Sequence, residues 1–374
     1  MLPTGVDVRA PMVREHGCSI GALVLALSLG AAACGSSGGG SGVSTSGTSV
    51  AVVPSGASTA ASASTAASAP SATGAPSSSV TGSPSVTGSP SAGASPGEGA
   101  CPAGMVLVPA GAFRMGSADD DRRADPDERP VHEVTLPAYC IGRTEVTVSE
   151  YEKCVSEARE GVKCSPASRV VISKGLSPDD VIFWSKYCNA GQKERGEHPV
   201  NCVSFEQART YCKWAGGRLP SEAEWEKAAR GTDGRRYPWG DDPPSESRLN
   251  GCGAECLKNA AALGRRDKKT MFAGDDGAES TAAVGRYPAG KSPFGALDMG
   301  GNVWEWTADV YGPYPGAPKA KGPAPASTLR AVRGGHWLNA NPESPRAANR
   351  ESRPEEKSLE DVGFRCAADV AGPR

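Results

Sequence analysis

The residues best placed to do chemistry lie between Leu297 and Trp306, in the run Leu-Asp-Met-Gly-Gly-Asn-Val-Trp-Glu-Trp. Asp298, Asn302 and Glu305 bring three oxygen-bearing side chains into a short span, with backbone carbonyls between them. Gly300 and Gly301 permit positive φ or a close backbone approach. Trp304 and Trp306 are large enough to anchor the loop in a core. A compact turn of oxygen ligands held by aromatic anchors suits a hard cation such as calcium. The stretch fits neither a simple helix nor a simple strand. Arg333-Gly-Gly-His-Trp337 follows it further along the chain.

Other chemistries find no footing. His16 falls in the N-terminal segment, and His132, His198 and His336 are too far apart for ligand spacing. There is no Gly-x-Ser-x-Gly elbow, phosphate loop or His-Glu-x-x-His helix. A net charge of −2 gives no polyanion-binding surface, so nucleic acid is not an expected partner.

Three helices must position what chemistry there is, and each opens on a capping box. Thr147-Val-Ser-Glu150 starts one that carries Tyr151, Cys154 and Val155. Ser204-Phe-Glu-Gln207 starts the second, with Phe205, Ala208, Tyr211, Cys212 and Ala215 near helical spacing and Gly216-Gly217 as its stop. Ser221-Glu-Ala-Glu224 starts the third, with Trp225, Ala228 and Ala229 inward and Gly231 as its stop. Strands are expected at Met105–Val108, His132–Leu136 and Tyr139–Arg143. After Gly231 the chain reads mostly as loop punctuated by Gly and Pro, with short strands. So much irregular chain needs holding by something other than hydrogen-bond ladders.

Cysteines supply part of that. Setting Cys18 and Cys34 aside from the twelve leaves ten in the body of the chain. An even number in an exported chain favours disulfides. Cys154/Cys164 and Cys252/Cys256 are near enough in sequence to close small loops, and each could instead be a metal pair. Disulfides are favoured because no further ligands complete a zinc site. The pairing of Cys101, Cys140, Cys188 and Cys202 stays open.

Upstream of Cys101 there is no material for a core. Residues 1–34 combine Arg9, Arg14 and His16, a short apolar run from Ile20 to Leu29, and Ala31-Ala32-Ala33 before Cys34. That order describes an export signal, and the apolar run is short for a bilayer span. The cysteine after small residues resembles a bacterial lipoprotein signal, in which Cys34 is acylated and becomes the mature N-terminus. Ala31 stands where such signals prefer Leu. A cell-envelope lipoprotein is therefore expected, in the outer membrane or facing the periplasm, and a secreted protein if Cys34 is not acylated. Residues 35–100 are Ser, Gly, Ala, Thr, Pro and Val, with Val-Thr-Gly-Ser-Pro-Ser in tandem from Val80 to Ser91. Such a composition reads as a disordered tether.

Five ordered motifs then carry a resemblance over Met105–Ala368. They are Tyr211-Cys-Lys-Trp-Ala-Gly-Gly-Arg-Leu-Pro-Ser-Glu-Ala-Glu-Trp-Glu226, Tyr237-Pro-Trp-Gly240, Gly301-Asn-Val-Trp-Glu-Trp306, Arg333-Gly-Gly-His-Trp337 and Gly363-Phe-Arg-Cys366. Together with the Pro-Ala-Gly-x-Phe-x-Met-Gly pattern before Gly116, they resemble the sulfatase-modifying-factor family of formylglycine-generating enzymes. The resemblance implies an α+β domain over residues 101–370, low in secondary structure and related to C-type lectins. It also implies a Cys212–Cys366 disulfide. Its enzymes bind copper(I) through two cysteines, which fall here on Asn339 and Ser344. An amide and a hydroxyl are poor ligands for a soft ion, and no cysteine lies between Leu257 and Arg365. Copper is therefore not expected, and the catalytic set is empty.

The family's calcium positions correspond to Asp298, Gly301 carbonyl, Val303 carbonyl and Glu305 in one cluster. Asn250, Gly251 carbonyl, Asp276 and Ala278 carbonyl form the other, next to an insertion-like stretch from Cys252 to Thr270. A remaining cleft would draw on His336, Trp337, Asn339, Asn341 and Arg346. The expectation is an exported, lipid-anchored binding or accessory module whose partner is an envelope protein, peptide or glycan. The alternatives are the family's cysteine oxidase and a thiohistidine-type iron oxygenase. The latter would need a His-x-x-x-His-x-Glu helix that residues 1–100 do not contain.

Overall fold

The expected capping boxes start the helices where the sequence places them. In this computed structural model, which describes residues 100–171, 177–262, 269–318 and 328–371, helix α1 spans Val148–Ser156. The Thr147 hydroxyl accepts from Glu150 N at 3.2 Å, and Glu150 accepts from Thr147 N at 2.9 Å. Ser204 with Gln207 and Ser221 with Glu224 do the same for α3 (Phe205–Trp214) and α4 (Glu222–Arg230). Each reciprocal cap satisfies two amides that the helix cannot, worth about 1 kcal/mol per cap. Helix α2 (Pro178–Ser185) uses a fourth capping box, Ser177 with Asp180. The sequence carried that signal unused. Helix α5 (Ala254–Ala262) corrects the loop reading of the insertion-like stretch. The expected signal segment, Cys34 and the expected tether up to residue 99 lie outside the described residues.

The helices present their expected faces, with two differences. Ala215 is an exposed cap on α3, and Trp214 is buried instead. Helix α4 buries Trp225, Ala228 and Ala229 as expected, but also Glu222, Glu224, Glu226, Lys227 and Arg230. It therefore runs through the interior, and the buried charges need partners.

Strands β1 (Met105–Val108), β4 (Tyr139–Gly142) and β9 (Ala367–Asp369) form an antiparallel sheet in the order β1-β4-β9. Strands β2 (Gly111–Met115) and β3 (His132–Leu136) pair as a hairpin-like ribbon. Strands β5 (Trp304–Val310), β6 (Leu329–Arg333), β7 (Arg350–Pro354) and β8 (Val362–Gly363) form the third sheet, ordered β7-β6-β5-β8. Its β5–β8 pair is parallel and the rest antiparallel. This corrects the reading that Trp-Glu-Trp fits no strand. Trp304, Glu305, Trp306 and Thr307 are all buried, so both faces of β5 are covered and the alternation that marks a half-exposed strand is lost. Trp304 and Trp306 join Phe205, Tyr211 and Phe364 in the largest core cluster, and Trp225 heads a second.

Five disulfides brace these short elements: Cys101–Cys140, Cys154–Cys164, Cys188–Cys202, Cys212–Cys366 and Cys252–Cys256. The two small-loop pairs and the Cys212–Cys366 pair form as expected. The two left open resolve into Cys101–Cys140 and Cys188–Cys202. Cys212–Cys366 ties α3 to the C-terminal strand across 154 residues.

Candidate functional site

The Leu297–Val303 loop is a tight turn with three residues at positive φ: Asp298 (54°), Gly301 (88°) and Asn302 (59°). Asp and Asn tolerate this region better than other side chains with a Cβ. Gly301 is required for a second reason. A Cβ there would stand 2.2 Å from Asn250 O. The turn aims Asn302 at the centre of the site. Its Oδ1 accepts from Ala282 N at 2.9 Å and Asn250 Nδ2 at 3.2 Å, and its Nδ2 donates to Glu145 Oε1 at 3.0 Å. Asn302 thereby links the two oxygen clusters that the sequence placed apart.

In the first cluster Asp298 is buried and its Oδ2 accepts from Gly285 N at 2.5 Å. Glu305 is fully buried and faces Arg365, which donates from Nε at 2.6 Å and Nη2 at 2.7 Å. Trp225 Nε1 adds a bond to Glu305 at 2.8 Å. Glu145 is a member that the sequence reading missed. It is 1% exposed, its Oε2 has no hydrogen-bond partner, and burial together with the charge of Asp298 pushes its carboxyl well up. Burial raises Asp298 as well. Two carboxyls placed like this resist joint ionisation.

In the second cluster Asn250 donates to Ser280 O at 2.8 Å, while its buried Oδ1 has no partner. Gly251 N and Ala278 N each donate to Asp276, at 2.9 Å. Even so, burial pushes the Asp276 carboxyl up to about 7. Glu255 and Asp275, neither of them in a motif, lie beside Asp276. One ligand oxygen from each of the three falls within 4.8 Å of the others. Oxygen donors with unfilled lone pairs fit a hard cation. By that test the second cluster fits calcium through Asn250 and Asp276. In the first, the donors left are Asp298 and Glu145, because Arg365 already neutralises Glu305.

Other buried charges, several of them in the motifs, also pair. Glu226 meets Arg333, whose Nη1 also donates to Ala348 O and Asn349 O at 2.7 and 2.8 Å. Glu222 holds Arg350 with two bonds of 2.7 Å. Glu128 holds Arg346 at 2.6 and 2.7 Å. The two-point contacts of Arg350 and Arg346 and the single contact of Arg333 satisfy charges that would otherwise be too costly to bury.

The segment carrying the two thiol positions is likewise satisfied from within. Asn339 Oδ1 accepts from His336 N at 2.8 Å, and its carbonyl accepts from Cys252 N at 3.1 Å. Ser344 is buried, and its carbonyl accepts from Asn349 Nδ2 at 2.8 Å. Both residues flank Gly335, where a Cβ would lie 3.0 Å from Asn339 Oδ1 and 3.3 Å from Ser344 O. Of the expected cleft residues, Trp337 is 4% exposed and packs against Tyr187 in a tilted arrangement with ring centroids 5.3 Å apart. Asn341 is exposed and accepts from Glu343 N at 3.0 Å. His336 lies 3.8 Å from Asp361. Arg346 alone of the set lines a cavity of about 430 Å3, together with Arg114, Ser117, Arg230, Arg236 and Asp241.

An α+β domain with little regular structure, braced by disulfides and by inward-turned motif charges, is a scaffold class in which loops carry the site. The chain belongs to the sulfatase-modifying-factor family: the sulfatase-modifying factor enzyme 1-like domain matches residues 92–370. Among its relatives is the formylglycine-generating enzyme of Mycobacterium tuberculosis, 31% identical over 71% of this chain and 97% of that protein. Another is the inactive C-alpha-formylglycine-generating enzyme 2 of Bos taurus, 29% identical over 72% of this chain and 89% of that protein. Among solved structures, PvdO from Pseudomonas aeruginosa aligns with a TM-score of 0.49 and 27% identity, over 71% of this chain and 94% of that one.

Proposed function

We propose that this protein is a non-catalytic binding or accessory module of the cell envelope, anchored through an acylated Cys34 and stabilised by calcium. One observation carries the reading. The thiol positions hold Asn339 and Ser344, and all ten cysteines from Cys101 to Cys366 are paired in disulfides. Copper(I) needs thiolate ligands, and a sulfur tied in a disulfide offers none. Asn339 is moreover occupied in holding the backbone of its own turn. The arginine-walled cavity beside Arg346 gives the module a concave surface for an envelope protein, peptide or glycan.

Two measurements test this. Alkylation of the denatured, unreduced protein should label none of the ten cysteines, and anaerobic copper(I) loading should leave no stoichiometric thiolate-bound metal. A labelled pair near the Arg333–Trp337 turn with one bound copper would favour the oxidase instead. For the anchor, Cys34→Ala should move the protein from the membrane to the soluble fraction. Unchanged fractionation would remove lipidation from the account.

A further inference from the structure

The motif positions do not exhaust the oxygen donors around Asp276. Glu255 comes from the first turn of α5, inside the turn closed by Cys252–Cys256. It is 5% exposed, Gly253 N donates to its Oε1, and its Oε2 is buried without a partner. Asp275 stands on the outer side, where its Oδ2 meets Lys258 Nζ at 2.7 Å. Independently, Asn250, which is 1% exposed, leaves its Oδ1 unpartnered on the neighbouring wall. Gly251, the next residue, bonds Asp276 directly.

The charges do not balance. Three carboxylates gather within 4.8 Å, and Lys258 is the one cation paired with any of them among the described residues. Arg286 is directed to Gly277 O at 3.0 Å. A buried carboxylate oxygen with nothing to accept from is costly, and native interiors leave few such atoms. Two carboxyls without an ion-pair partner among the described residues and an orphaned amide oxygen match a divalent cation with hard-ligand preference. The absence of thiol or imidazole donors in the group weighs against zinc and copper.

We propose that Glu255 is a further calcium ligand, delivered by a disulfide-closed turn to join Asp276 and Asn250. The inference rests on the calcium reading above and adds to it a residue from outside the family's motifs. More ligand charge in a more rigid site raises calcium affinity. The disulfide fixes the turn that supplies that charge.

The test is calorimetric titration of the full chain with calcium chloride, comparing wild type, Glu255→Gln and Asp276→Asn. Glu255→Gln should weaken the site that Asp276→Asn abolishes by tenfold or more. Melting in chelator separates a ligand from a merely structural residue. Without calcium, Glu255→Gln should melt no lower than wild type, because it relieves repulsion, while the calcium-induced rise in Tm shrinks. Unchanged affinity in Glu255→Gln would overturn the role of Glu255 and leave the calcium reading standing. Absence of binding by wild type would overturn both. A Glu255→Gln protein that melts lower in chelator and binds calcium with wild-type affinity would make Glu255 structural.

Discussion

Two sets of buried carboxylates in this domain are neutralised in different ways. Glu305, Glu222, Glu226 and Glu128 each face a buried guanidinium, from Arg365, Arg350, Arg333 and Arg346 respectively. Among the described residues Asp276 and Glu255 face none, and Glu255 keeps an oxygen with no partner. The first set comes mostly from the motifs that identify the family. Its charges are satisfied inside the protein, so the motifs identify a scaffold and leave its chemistry open. The second set lies outside those motifs, and its charges find no guanidinium among the described residues. Between them, Glu145 and Asp298 form a third arrangement, two buried carboxyls side by side that burial pushes up.

The largest effect should come from breaking an internal pair. Arg365→Met would leave Glu305 buried without its counter-charge, and loss of one partner of a buried pair costs about 3–5 kcal/mol. Urea unfolding should show a drop of that order. A loss below ~1 kcal/mol would mean that Glu305 is neutralised by something else. Next comes removal of calcium. A cation bound only by the folded state contributes about 2.7 kcal/mol when free calcium is ~100 times Kd. Chelator should therefore lower Tm in wild type, and lower it by less in Asp276→Asn, which keeps only the first cluster.

The pH profile sharpens the same contrast. In chelator, burial raises the Asp276 carboxyl from 3.8 to about 7, so the folded state holds its proton more tightly than the unfolded chain. That contribution to stability is complete below pH 4 and is lost as pH rises through 7. Tm in chelator should fall across this window, and saturating calcium should abolish the fall. Melting curves at fixed ionic strength check it. The smallest effect is expected at the surface, where Lys258→Ala removes an exposed partner of Asp275. Tm should not change measurably, while calcium affinity rises a few-fold as a competing positive charge disappears. A weaker affinity would place Lys258 in the site's architecture.

What could be read from the sequence follows from distance along the chain. Capping boxes at Thr147, Ser204 and Ser221 span four residues each and predict α1, α3 and α4. The Ser177–Asp180 box was equally readable. Ion pairs were not, because their partners are remote: Glu226 and Arg333 are 107 residues apart, and Glu128 and Arg346 are 218 apart. The same reason hid the burial of α4, whose charged positions look like a solvated face until Arg333 and Arg350 arrive from other strands. Strand β5 was obscured because both of its faces are buried. Asp298 and Glu305 were legible in their own run, and Asn250 and Asp276 only through the family resemblance. Glu145 and Glu255 were not, since an acid next to a cap or inside a Cys-x-x-x-Cys turn has no signature of its own. Asn302, first singled out as a ligand, instead bridges the clusters through its amide.

The claim that this scaffold lacks the oxidase is tested most directly by turnover. Purified protein, loaded with copper(I) and supplied with oxygen, is incubated with a sulfatase peptide bearing the target cysteine, and aldehyde is read by mass spectrometry. The peptide should return unchanged at every protein concentration. Multiple-turnover formation of formylglycine would contradict the account and put an oxidase where Asn339 and Ser344 now stand.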